Sequence, residues 1–178
     1  MKEKLLSILR KIGAFFKFVW TEVIKFPAYI LVHPLKGFEE FKRYKKGKVS
    51  VALAFIVLAI ILNISKYQFT GASVQIYKIS DLKSGAQIVY ILGAVLIVTV
   101  ANWSVTTLFD GKGNMRDIFL MTSYCLYPYI WGTLVGMILS NVLATDEVAL
   151  YTLVIGLGVF LMIYMFFMGI ISIHEYGL

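Results

Sequence analysis

Gly111-Lys112-Gly113-Asn114 is the segment whose residue types come closest to chemistry, because glycine and lysine together cradle phosphates in nucleotide-binding loops. Such a loop needs G-x-x-x-x-G-K-[ST] between a strand and a helix, so that backbone amides and the lysine reach the phosphates together. Here a single Gly-Lys-Gly stands between two long apolar runs, and no Ser or Thr follows the lysine. The stretch reads instead as a tight hairpin turn. Glycine supplies its φ > 0 conformations, Lys112 lies near headgroups, and Asp117 opens the next helix where the dipole favours a carboxylate. His33 and His174 are the only histidines, and neither has a second ligand at i,i+3 or i,i+4. No metal site, Ser-His-Asp triad or H-E-x-x-H motif is supported. The lone Cys125 excludes an internal disulfide and reads as a small buried hydrophobe. The chain is expected to be neither an enzyme nor a cofactor carrier.

Other polar side chains sit within apolar runs. No charge falls at the middle of any such run, which argues against ion- or proton-coupled transport. Asn102 is the deepest neutral polar residue. It reads as a helix–helix hydrogen bond worth about 0.6–2 kcal/mol, or, with Thr106 and Tyr124, as the lining of a solute path. Tyr124-Cys-Leu-Tyr127-Pro128-Tyr129-Ile-Trp131 packs aromatics around a proline that should kink its helix. Gly132 and Gly136 follow at GxxxG spacing, which permits close helix approach to a partner inside the chain or on another protein.

These residues must be positioned by membrane elements. Sixty per cent of the 178 residues are hydrophobic, beyond the roughly 45–50% of soluble domains. Mean hydropathy is +0.82. The net charge of +7 is concentrated: residues 1–48 hold twelve Lys/Arg against four Asp/Glu, or +8, and the remainder carries −1. A basic half interleaved with Phe, Leu and Ile beside apolar runs points to anionic lipid headgroups, not nucleic acid. On a helical wheel, residues 4–26 place Lys4, Arg10, Lys11, Lys17 and Lys25 on one arc. Phe15, Phe16 and Trp20 lie opposite, as in a helix resting in the membrane interface. Interruption by Arg10, Lys11 and Lys17 rules out a signal-peptide core. Pro27 should end or kink this helix. His33-Pro34 breaks the chain again, and Leu35, Phe38 and Phe41 mark a second short amphipathic helix.

The expected organisation is therefore an all-α integral membrane protein. Residues 1–48 form a basic, amphipathic interface region, and residues 49–178 form a bundle of four transmembrane helices. The spans fall at about 49–66, 86–109, 118–139 and 148–173. The basic cluster ending at Lys48 puts the N-terminus in the cytoplasm by the positive-inside rule.

With these residues in view, the chain resembles the Yip1 domain family of small polytopic membrane proteins, in the manner of a bacterial member. The likeness rests on Val32-His-Pro34 followed by Phe38 and Phe41, on Leu108-Phe-Asp110-Gly111-Lys112-Gly113-Asn114, on Tyr127-Pro128, and on Ile173-His-Glu-Tyr176. The resemblance implies a bundle of about five spans, one more than this sequence holds, with a cytoplasmic N-terminal region and no established catalytic residues. It suggests an accessory or scaffolding subunit in the bacterial plasma membrane, touching lipid and other integral membrane proteins such as an ABC-type transporter permease. The alternatives are a small-solute transporter or channel and, more weakly, a membrane-composition sensor or trafficking factor.

Overall fold

The computed structural model describes the backbone of residues 2–74, 80, 82–108 and 113–175, and their side chains except those of 2–6, 8, 9, 107 and 108. All regular structure among these residues is helical. Helix α1 (Lys2–Phe18) runs through a π-helical stretch, Val19–Lys25, into α2 (Phe26–Val32). The expected stop at Pro27 does not occur. Phe26 N–H donates to Thr21 O, five residues back, and this wider turn leaves room for a pyrrolidine ring that would otherwise strike the preceding turn. The break falls at His33 (φ −127°, ψ 66°), whose helical conformation is disfavoured by the following proline.

Helix α3 (Pro34–Arg43) folds back under α2. Phe38 and Phe41 point inward and are 0% and 2% exposed. The apolar face of α3 is thus spent on protein, and only Leu35 of the expected stripe stays exposed. Gly37 allows the crossing, since a Cβ there would lie 2.8 Å from the Ile30 backbone. The core consequently runs across residue 48, joining Ile30, Phe38 and Phe41 to Val51, Phe55, Tyr124 and Met165.

Four helical stretches are long and apolar enough to cross a membrane: Val49–Phe69, Ser84–Thr106, Met115–Leu139 and Thr145–His174. The first is α4; its 21 residues rise about 31 Å at 1.5 Å each, matching a hydrocarbon core of about 30 Å. Helix α5 spans Ser84–Leu108. The third stretch is divided at Cys125 into α6 (Met115–Tyr124) and α7 (Leu126–Leu139). Pro128 sits in the first turn of α7 and has no N–H to offer the carbonyl four residues back, and the division falls within one turn before it. After a 3₁₀ turn, Thr145–Glu147, α8 covers Val148–His174. The α6–α7 pair is central and 61% buried along its span. Helices α4, α5 and α8 pack around it, and α3 packs on α8.

The third span also makes a close helix contact with α8. A Cβ on Gly132 would stand 2.9 Å from Gly158 Cα, and one on Gly158 would stand 3.0 Å from the Pro128 carbonyl oxygen. Gly136 faces Ile155 at 2.9 Å in the same sense. The GxxxG seam therefore has its partner inside the chain, on α8.

Candidate functional site

One end of the bundle gathers several polar side chains that reach between helices. It is built from α3, the turn after it, the start of α6 and the end of α8. At the C-terminus of α8 the last carbonyls have no helical partner, and Lys42 supplies one. Its Nζ donates to Ile173 O at 2.9 Å and to the Glu175 carboxylate at 2.8 Å. Glu175 closes the helix in the left-handed conformation (φ 56°), its N–H donating to Ile171 O. A cation is favoured there because the helix dipole is negative at that end.

Next to it, Gly113 lies flat against His174. A Cβ at residue 113 would approach the imidazole Cε1 at 2.5 Å and Nδ1 at 2.7 Å. His174 is 2% exposed, unlike His33, which is exposed and stacks on Tyr29 with ring centroids 5.3 Å apart. Three segments quoted for the resemblance thus meet in space: Pro34–Phe41, Gly113-Asn114 and Ile173–Glu175.

A second polar group holds the π-helical stretch to the bundle. Lys46 Nζ donates to Glu40 Oε2 at 2.6 Å, and Tyr29 OH donates to Glu40 Oε1 at 3.2 Å. The hydrogen bond from Lys46 holds the Glu40 carboxyl below its ordinary range, and the same bond raises the Lys46 ammonium. The Tyr29 phenol is raised by desolvation first and by Glu40 second. Lys48 pairs with Glu22 at 2.8 Å and lies over the Phe18 ring at 5.0 Å. Beneath both pairs, Tyr124 is the hub of an aromatic cluster. Phe41, Phe55 and Phe26 stand edge-on to it at 5.0, 5.4 and 6.4 Å, and its hydroxyl accepts from Lys48 N–H at 3.2 Å.

A family model, the Yip1 domain, matches residues 28–177. The chain belongs to the Yip1 domain family. That family consists of membrane proteins not known as enzymes. No curated protein and no solved structure matches the chain. The matched region begins inside α2, so it takes in α3 and the whole polar end.

The remaining sequence candidates fall elsewhere. Arg10, Lys11, Phe15, Phe16, Lys17, Trp20 and Lys25 are exposed along α1 and the π-helical stretch; the Lys4 side chain lies outside the described residues. So do Asp110, Gly111 and Lys112 of the hairpin turn, of which Gly113 and Asn114 are described. Asn102 is partly buried on α5, where its carbonyl accepts from Thr106 Oγ1 at 2.8 Å. Thr106 spends its hydroxyl on its own helix, and Tyr124 packs against Phe41 of α3 and Phe55 of α4. Sequence reasoning missed Lys42, Glu40, Tyr29 and the Tyr124 hub. No spacing rule links a lysine to a carbonyl 131 residues away.

Proposed function

We propose that this Yip1-domain protein is a non-catalytic, multi-pass subunit that assembles with other integral membrane proteins. The observation that carries the reading is Tyr164. It lies near the midpoint of α8, is 39% exposed, and makes no hydrogen bond among the described residues. A hydroxyl left in hydrocarbon costs about 1–3 kcal/mol. Acyl chains offer no acceptor; a neighbouring helix does. The outer faces of α8 and α5 are apolar, with only 17% and 11% of their spans buried within the chain. Lipid would satisfy those faces, but not the phenol. The resemblance to Yip1 relatives directs the search to a polytopic partner such as the permease of an ABC-type importer, in a bacterial plasma membrane.

The test is a photo-crosslinking amino acid at position 164, activated in native membranes, with co-purification in mild detergent. Discrete protein adducts shared by both preparations support an assembly subunit. Lipid adducts alone, with a clean monomer in detergent, would sink it.

A further inference from the structure

We propose that the cleft between the turn after α3 and the start of α6 binds a phosphate group. The cleft encloses about 140 Å³, several times the roughly 30 Å³ share of one liquid water. Lys42, Lys45 and Gly47 line one side; Asn114, Arg116 and Asp117 line the other. Lys42 is already committed to Ile173 O and Glu175. Lys45 and Arg116 are exposed and make no ion pair among the described residues. Two cations from distant parts of the chain thus line one concave site, and among the described residues lining it Asp117 is the one that opposes them.

The backbone adds donors on the same side. Asn114 precedes α6 in an extended conformation and its side chain caps nothing. The first helical bond closing onto it is Ile118 N–H to Asn114 O at 3.0 Å, so the N–H groups of Met115, Arg116 and Asp117 have no partner within the helix. A small tetrahedral oxyanion would accept from these amides and from both cations, an arrangement in which each bond is charge-assisted.

The level of the cleft fits a membrane surface. Val49 begins the first span and Met115 the third, so both walls lie within a few residues of hydrocarbon. A phospholipid headgroup and a free phosphate both present the required chemistry.

Purified full-length protein provides the test. Inorganic phosphate is titrated in detergent by thermal shift. Separately, phosphatidic acid added to phosphatidylcholine nanodiscs and retained on the protein is counted by native mass spectrometry. Lys45→Ala and Arg116→Ala should each weaken binding about tenfold, the loss expected for one charge-assisted hydrogen bond. Asp117→Asn should strengthen binding. A Lys83→Ala control, at an exposed lysine outside the cleft, should leave binding unchanged. Retention of phosphatidic acid without stabilisation by inorganic phosphate assigns the site to a headgroup; stabilisation by inorganic phosphate without lipid retention assigns it to a soluble ligand; loss of retained lipid on adding inorganic phosphate assigns it to both. The proposal is overturned if neither probe binds, or if Asp117→Asn leaves binding unchanged or weaker. The asparagine variant decides the matter even if an alanine variant misfolds.

Discussion

Lys42 joins two regions that are distant along the chain, and its energetic role follows from what it touches. Its side chain is 20% exposed and that of Glu175 is 48% exposed, so solvent screens the ion pair and the bond to the Ile173 carbonyl carries most of the effect. Lys42→Met keeps the aliphatic stem and removes the cap; the expected cost is about 1 kcal/mol, read as a lower unfolding temperature in detergent. An unchanged temperature would remove Lys42 from the capping role. The Glu40–Lys46 pair makes a pH-dependent prediction. Glu40 is lowered from its ordinary 4.5, so its contribution is full above that value and fades as pH falls through the lowered one. Lys46 is raised from 10.5, so its contribution is full below that value and fades as pH rises through the raised one. Between these limits Glu40→Gln should unfold more readily than the parent, and the difference should shrink on acidification. A difference that persists undiminished in acid would show that the pair is not its source.

At the level of elements, the close crossing of α7 and α8 depends on two glycines. Gly132→Ala or Gly158→Ala forces the backbones apart, a misfit that costs about 1–3 kcal/mol in packed interiors. The double variant should cost less than the sum, because both methyls relieve themselves by the same separation. Gly93 on α5 meets nothing within 4 Å, so Gly93→Ala should be neutral or slightly stabilising through helix propensity. Unfolding in mixed micelles ranks the four proteins, and equal losses at positions 93 and 132 would refute the seam. The GxxxG spacing was legible in the sequence, but its partner was not. Gly158 lies in a run of Gly and Leu that offers no spacing to single it out.

For the whole molecule, the prediction concerns orientation. Twelve basic residues in 1–48 disfavour translocation across an energised membrane, so α1 is expected in the cytoplasm and the 3₁₀ turn before α8 outside. In a Cys125→Ala background, Asp146→Cys should react with an impermeant maleimide in intact cells, and Ser7→Cys only after permeabilisation. Labelling of both from one side would contradict this orientation.

The sequence by itself determined that the chain is helical, crosses a membrane and has four spans. The hydrocarbon requires each crossing segment to satisfy its own backbone and to be apolar over a set length, and both are local properties. Their ends shifted only by a few residues, at Phe69 and Met115. The tertiary structure alone decided which faces meet. A spanning helix such as α4 is apolar on every side, so no amphipathic stripe records its inward face. The seating of Phe38 and Phe41 in the core instead of lipid, the Gly132–Gly158 crossing and the Lys42 cap are products of shape. Glycine permits close approach and long side chains reach across gaps, and neither leaves a period in the sequence.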